Sequence, residues 1–207
     1  MDNDIVSAVG AVSREVVDRE HAGRPARAVV ATRTYPAPVG DVWDALTNGE
    51  RIPRWFLPIS GDLKLGGRYQ LEGNAGGHIT ECEPPRHVAV TWEYGGNVSW
   101  VDVRLTEEPG GGTLLRLEHR VHVDDHWSEF GPGAVGVGWD LAILGLAEHL
   151  STGEAVAAPS LMESPEGKAF MRASSDGWCR AAIASGTDEE EARAAAARTA
   201  AFYTGEG

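Results

Sequence analysis

Apolar and polar residues alternate along the middle of the chain, from residue 64 to residue 123. A period of two is typical of β-strands whose two faces meet different environments. The breaks between the candidate strands are short and rich in glycine and proline, so we predict antiparallel neighbours joined in a meander. The predicted strands are GRYQLEG, GHITECE, HVAVTWEY, NVSWVDVRLTEE and TLLRLEHRVHV.

Each predicted strand has two distinct faces. Leu115, Leu117, His119 and Val121 share one face of the last strand, whereas Arg116, Glu118 and Arg120 share the other. Val101, Val103 and Leu105 are likewise separated from Trp100, Asp102 and Arg104. A sheet with this pattern has one solvated face and one face that needs a cover.

The pattern before the meander predicts a short helix over residues 4–12 and two strands, REVVDRE and ARAVVATRTY. A helical stripe in PVGDVWDALTN then predicts a helix, and RWFL, between Pro53 and Pro58, predicts a short helix or turn.

After the meander the apolar period becomes helical. A helix from about Gly136 to Leu150 is the predicted cover of the sheet, with an apolar stripe of Trp139, Ala142, Ile143, Leu146 and Leu150. Leu141 and Leu144 lie on its opposite side and need cover of their own. Phe170 and Trp178 could provide this cover from the tail of the chain.

Two further helices are predicted in that tail, over residues 165–185 and 188–202. Ser164 and Pro165 match an N-cap followed by proline at the first helical position. Ser185-Gly186 predicts the end of this helix, and Thr187 with Glu190 matches a capping box for the next. These helices could also dock on a second copy of the chain, so a homodimer stays open.

Gly131, Gly133 and Gly136 have the G-x-G-x-x-G spacing of a dinucleotide-binding loop. That fingerprint requires a strand before the glycines and a parallel βαβ unit around them. The preceding DDHWSEF is not an apolar strand, and a linker follows the helix. We therefore expect Gly131 and Gly133 to make a turn, and Gly136 and Gly138 to let the start of the helix approach the sheet closely.

The composition excludes several function classes. The 207 residues carry 18 basic and 31 acidic side chains, a net charge of −13, which disfavours nucleic acid and anionic lipid as partners. No run of 18 apolar residues and no secretory signal is present, so we expect a cytoplasmic protein without a membrane span. The two cysteines, Cys82 and Cys179, are expected to be free thiols.

The order of elements resembles the START-like (SRPBCC) superfamily, and within it the branch of the activator of the heat-shock-protein-90 ATPase. The likeness spans about Arg33 to Leu150. It includes Val42-Trp43-Asp44-Ala45-Leu46-Thr47, Trp55-Phe56 and Gly138-Trp139. The segments that carry it are RTYPAPVGDVWDALTNGERIPRWF, GDLKLGGRYQLEG, PPRHVAVTWEY, LEHRV and GVGWDLAILGLAEHL.

The resemblance implies an α+β helix-grip fold, in which a curved antiparallel sheet wraps around a long helix. On this basis we expect an N-terminal extension over residues 1–24 and a helix-grip domain over 25–152. A linker over 153–164 and a helical extension over 165–207 follow. The tail after about Ser160 has no role implied by the family.

The family also implies a hydrophobic cavity between sheet and helix. The strand alternation and the inner helical stripe predict its lining. The candidate ligand-binding residues are Tyr69, His78, Trp92, Val103, Leu117, His119, Trp139, Ile143 and Leu146. His119 is either a hydrogen-bonded core residue or a polar anchor for a ligand, and the face of His78 is ambiguous.

Two other kinds of chemistry are alternatives to this binding site. His119, His122 and His126 suggest a metal, but residues 119 and 122 point to opposite faces of a strand, so we predict no metal and no cofactor. No nucleophile motif is present, although acid–base catalysis by His78, Glu81 or His119 is conceivable.

We therefore predict non-catalytic binding of a small hydrophobic or aromatic molecule. Two alternatives stay open. One is an enzyme of the cyclase or dehydratase type that uses the same cavity, and the other is a chaperone-like protein-interaction module.

Overall fold

A computed structural model describes residues 7–156 and 163–206. The strands are β1 (Ser13–His21), β2 (Arg24–Tyr35), β3 (Ile59–Gly61), β4 (Arg68–Leu71), β5 (Gly76–Glu83), β6 (His87–Tyr94), β7 (Asn97–Glu107) and β8 (Thr113–His122). The helices are α1 (Val39–Thr47), α2 (Asp125–Phe130), α3 (Gly133–Thr152), α4 (Pro165–Ala184) and α5 (Glu189–Thr204), with a 3-10 turn at Ile52–Arg54. The strands form one open, curved antiparallel sheet in the order β1-β2-β8-β7-β6-β5-β4-β3.

The predicted meander is confirmed, because β4 to β8 pair consecutively and antiparallel. Two elements were missed. Strand β3 has three residues, too few to show a period. Helix α2 buries none of its residues, so it has no apolar stripe; its signal is the Asp124 cap, whose side chain accepts from the Trp127 amide.

The predictions for the chain ends need small corrections. Residues 7–10 of the predicted 4–12 helix are helical, and residues 4–6 lie outside the described part of the chain. The short helix predicted at residues 54–57 is the 3-10 turn Ile52–Arg54, two residues earlier. Residues 157–162 of the predicted linker also lie outside the described residues.

Both tail helices are confirmed. The Ser164 side chain caps α4 by accepting from the Gly167 amide, as predicted. The cap of α5 is Asp188 rather than Thr187, and its carboxylate accepts from the amides of Glu190 and Glu191. An ionised carboxylate at this position also interacts favourably with the positive end of the helix dipole.

The described residues fall into two compact units. The first contains the chain up to Ala31, residues 122–143 and the two tail helices. The second contains Thr32–Val121 and Leu144–Val156, and therefore most of the sheet.

Trp55 holds together three segments of the second unit. Its indole Nε1 donates to the Ala45 carbonyl of α1 at 2.9 Å, and its ring stacks on Phe56 at 5.5 Å between centroids. Its own carbonyl lies against Gly145 of α3, where a β-carbon would come within 2.7 Å of the oxygen. Trp55 therefore contacts α1 through its indole and α3 through its main-chain carbonyl.

A buried carboxylate, Asp140 of α3, organises the first unit. It is fully inaccessible and accepts from Arg14 Nε at 2.8 Å, from Trp178 Nε1 at 3.1 Å and from the Ser174 hydroxyl. Burial raises the pKa of the Asp140 carboxyl, while Arg14 and the hydrogen bonds from Ser174 and Trp178 oppose this rise. Strand β1, α3 and α4 thus converge on one charge.

Gly133, Gly136 and Gly138 of α3 face the tail helices, and this corrects the prediction that Gly136 and Gly138 approach the sheet. A β-carbon on Gly136 would overlap the Trp178 indole, and one on Gly138 would lie 3.2 Å from the Tyr203 hydroxyl. Gly131 makes the predicted turn, with φ of 61°. Trp178 therefore packs at Gly136 and Asp140. The two leucines that it was predicted to cover, Leu141 and Leu144, are half-buried.

Removing the charge of Asp140 should strongly destabilise the protein. Asp140→Asn leaves the Arg14 guanidinium buried without a carboxylate, which costs about 3–5 kcal/mol of unfolding free energy. Asp44→Asn is the control, since Asp44 is an exposed partner of Arg51 whose loss should cost less than about 1 kcal/mol. Urea unfolding measures both, and equal losses would contradict the role of Asp140.

Gly136→Ala tests the close contact between α3 and α4. The added methyl group meets the rigid Trp178 ring, so unfolding free energy should fall by about 2 kcal/mol or more. Gly40→Ala, in α1, meets nothing within 4 Å and should stabilise by about 0.5–1 kcal/mol because alanine favours helix. Thermal unfolding distinguishes these outcomes, and stabilisation by both substitutions would refute the contact.

Candidate functional site

The strand register places apolar residues together on one face of the sheet in the second unit. Val101 pairs with His119, Val103 with Leu117 and Leu105 with Leu115. The same face continues into β6, because Val88 pairs with Val103, Val90 with Val101 and Trp92 with Ser99. It ends in a cluster of Tyr69, Leu71 and Ile79. The predicted division of each strand into two faces is therefore confirmed here.

His119 is a buried polar residue on this apolar face. Its ring Nε2 lies 2.8 Å from Ser99 Oγ, and the Ser99 hydroxyl donates to the Trp92 carbonyl at 3.1 Å. Because the single hydroxyl proton is used in the second bond, His119 Nε2 is the donor in the first. This arrangement places a proton on Nε2.

Burial keeps the imidazole neutral. It lowers the pKa of His119 to about 3, since the charged form would lose its hydration. The Trp92 indole is half-buried and lies 5.9 Å from the His119 ring, between centroids. An uncharged polar pair thus lies beside an aromatic ring within an otherwise apolar surface.

Tyr69 adds a second polar group at the far end of this face. It is buried, and its hydroxyl donates to the Thr91 carbonyl at 2.8 Å. Burial raises the pKa of Tyr69, so the phenol stays protonated and a donor at neutral pH.

The structure brings together only some of the predicted site residues. Tyr69, Trp92, Val103, Leu117 and His119 share the apolar face. Leu146 is buried in the second unit, whereas Trp139 and Ile143 belong to the part of α3 in the first unit, and their role in binding stays a prediction.

His78 lies on the opposite face. It pairs with Arg68, is exposed, and its Nε2 lies 3.0 Å from Arg68 Nη1. The structure therefore does not place it with His119, because the β4–β5 register points Tyr69 and His78 to different sides.

Glu81 also turns away from the apolar face. The register shifts between Ile79 and Glu81, so Ile79 pairs with Val90 but Glu81 pairs with Ala89. This bulge moves Glu81 to the outer side, where it lies 3.6 Å from His87. The acid–base groups considered from the sequence are thus not gathered at one point.

Ser99 is the site residue that sequence reasoning missed. It has no motif around it, and its partner His119 lies twenty residues away. The sequence did indicate its face, because Ser99 alternates with Val101 and Val103 along β7 and so lies on the same side of the strand.

The three histidines of the metal hypothesis have separate partners. His119 contacts Ser99, His122 Nδ1 lies 3.2 Å from the Pro25 carbonyl, and the His126 ring packs on Phe130 at 4.9 Å. Over residues 7–156 and 163–206, no group of three or more potential ligands is positioned to hold a metal ion. Both cysteines are free thiols, as predicted.

An open, curved antiparallel sheet combined with long helices defines an α+β protein of the START-like, helix-grip class. Within that class, the chain belongs to the family described as Activator of Hsp90 ATPase homolog 1-like protein, whose model matches residues 36–151. The resemblance found in the sequence is confirmed.

Several solved structures are similar to this chain. CalU16 from Micromonospora echinospora is 36% identical in its crystal structure, covering 84% of this chain and 99% of that one, with a TM-score of 0.68. Its solution structure is 35% identical over 84% and 97% of the two chains, with a TM-score of 0.73.

DynU16, a protein of the dynemicin biosynthetic locus, shares the fold at 22% identity. The match covers 70% of this chain and 49% of that one, with a TM-score of 0.51. The comparison with curated proteins found no match. In the part of the chain that the structure describes, no helix is both long and apolar enough to cross a membrane.

The neutral His119 should make stability depend on pH. Unfolding exposes the imidazole and restores a pKa near 6.5, so the unfolded state gains a proton below that pH while the folded state gains one only near pH 3. Stability is therefore complete above about pH 6.5 and falls with acidification, by about 2 kcal/mol between pH 7 and pH 5 from this group.

His119→Gln should remove this contribution, since glutamine can donate to Ser99 and does not titrate. Urea unfolding at pH 7 and pH 5 measures the difference. His78→Gln is the matched control for loss of an exposed histidine. Identical pH dependence in wild type and His119→Gln, or an imidazole resonance that titrates with a midpoint above 6, would show that His119 is not desolvated.

Proposed function

We propose that the protein binds a small hydrophobic or aromatic molecule, without converting it chemically, at the apolar face that carries His119. The site would consist of Tyr69, Trp92, Ser99, Val103, Leu117 and His119, with Leu146 on the same unit. Membership of the family and the likeness to CalU16 support a ligand-binding fold.

The observation that carries the proposal is the neutral His119–Ser99 pair beside Trp92. Ligand sites are mostly apolar and contain a few fixed polar groups that orient the bound molecule. An imidazole kept uncharged by burial suits a ligand without a charge, because a buried ion would need a counter-charge. The half-buried indole offers a flat surface for an aromatic ring.

Binding without catalysis is favoured over the cyclase or dehydratase alternative by the positions of the acid–base groups. Such an enzyme would need a second proton-transferring group near His119. Both groups considered from the sequence, His78 and Glu81, are exposed and lie on the other face of the sheet. DynU16 comes from a biosynthetic locus, and at its level of identity it supports the fold alone.

Trp92→Ala should weaken binding of a neutral aromatic probe, N-phenyl-1-naphthylamine. Loss of an aromatic wall costs on the order of 1–3 kcal/mol, or about ten- to a hundredfold in affinity. Trp100→Ala is the control, since Trp100 pairs with Arg120 on the outer face of the neighbouring strand β7. Probe fluorescence measures both dissociation constants.

His119→Leu extends this test to selectivity. The variant should lose the preference of the wild type for 2-naphthol over naphthalene, because the polar partner of the hydroxyl is gone. The proposal fails if the probe binds without saturation, or if the Trp92→Ala and Trp100→Ala variants bind it equally well.

A further inference from the structure

Strand β1 forms one edge of the sheet. It is nine residues long, and β2 is the one strand beside it among the described residues. The N–H and C=O groups on the outer side of an edge strand are a template for pairing with another chain. An edge of this length offers enough of these groups for a strand from a second molecule to be added.

The two faces of β1 lie in different surroundings. Arg14 points toward helix α3 of the first unit, where its Nε donates to Asp140 at 2.8 Å. Glu15, Val17 and Arg19 alternate with this face, so they point away from Asp140. Glu15 is exposed, and the other two are half-buried.

The charges of this second face are arranged symmetrically about Val17. Glu15 precedes Val17 by two residues, and Arg19 follows it by two. In an antiparallel pair of two β1 strands with Val17 opposite Val17, each Glu15 lies opposite Arg19 of the other copy. Opposite charges directly across two strands attract, and the two-fold symmetry of the arrangement forms this pair twice.

The charges also select this register over its neighbours. A shift of the pairing by two residues places Glu15 opposite Val17 in one direction and opposite His21 in the other. Neither shift places this carboxylate opposite a guanidinium. Charged residues on an edge strand usually prevent pairing, whereas in the symmetric register they attract each other.

We propose that β1 is an interface for a second copy of this chain, paired antiparallel across a two-fold axis at Val17. The partner is a second copy because the charge pattern is complementary to itself. An interface made of one strand edge is small, so the dimer is weak and depends on concentration. The strand belongs to the first unit and contains no residue of the proposed His119 site.

Charge reversal tests this interface in the full-length protein by sedimentation equilibrium. The wild type should dimerise with a dissociation constant below about 1 mM. Glu15→Arg and Arg19→Glu should each raise this constant by about tenfold or more, because like charges then meet at both pairs. Glu107→Arg reverses an exposed glutamate of β7 in the second unit and is the control, which should dimerise like the wild type.

An equimolar mixture of the Glu15→Arg and Arg19→Glu variants should recover the association. Each variant then supplies the charge that the other lacks, so both cross-strand pairs are attractive again. The double variant that exchanges the two charges should also dimerise like the wild type. These recoveries separate the charge pairing from any loss of folding in a single variant.

Cross-linking tests the register. In a Cys82→Ser background, Val17→Cys should give a disulfide-linked dimer on oxidation, since Cα atoms directly opposite in an antiparallel pair lie about 5 Å apart. Glu15→Cys should not, because the two copies of this position lie about 13 Å apart along the strands. The native Cys179 is buried and is retained in both variants. Non-reducing electrophoresis distinguishes monomer from dimer.

Three results would overturn the proposal: a wild type that stays monomeric up to about 1 mM, a dimer that neither charge reversal weakens, or cross-linking of Glu15→Cys as efficient as that of Val17→Cys. A dimer that persists in both charge variants would lie at another surface. None of these results bears on the ligand site at His119.

Discussion

One buried negative charge determines how the first unit is assembled. A carboxylate taken out of water is tolerated only where donors replace its hydration. Asp140 obtains them from β1 through Arg14 and from α4 through Ser174 and Trp178. Three segments distant in sequence must therefore meet at one point, and a misplaced partner would leave either the carboxylate or the Arg14 guanidinium uncompensated.

The demands of this charge extend to the residues around it. A β-carbon on Gly136 would overlap the Trp178 indole that reaches Asp140, and one on Gly177 would make a tight contact of 3.2 Å with Arg14 Cδ. Helix α5 is also tied to residues around the start of α3: the Thr199 hydroxyl donates to the Phe130 carbonyl at 2.8 Å, and the Tyr203 hydroxyl donates to the Ala134 carbonyl at 3.0 Å. The glycines and these hydrogen bonds thus both contribute to the packing of the tail helices in the first unit.

The buried polar group of the second unit, the His119 imidazole, is uncharged. Burial lowers the pKa of His119 and keeps the imidazole neutral. Its Nε2 donates to the Ser99 hydroxyl, and that hydroxyl donates to the Trp92 carbonyl. The two units thus bury polar groups in different ways: the second unit holds a neutral His119–Ser99 pair, and the first unit holds the Arg14–Asp140 ion pair.

The sequence by itself determined most of the elements, because period and capping are local; the three-residue strand β3 and helix α2, which has no apolar stripe, were the exceptions. Alternation predicted the strands of the meander, and Ser164 with Pro165 marked the start of α4. Tertiary structure decided the partners. The shift between Ile79 and Glu81, the meeting of Ser99 with His119, and the donors of Asp140 depend on register and packing between segments up to 126 residues apart. Periodicity indicates the face on which a side chain lies, whereas the group that it meets there depends on which distant segment packs against that face.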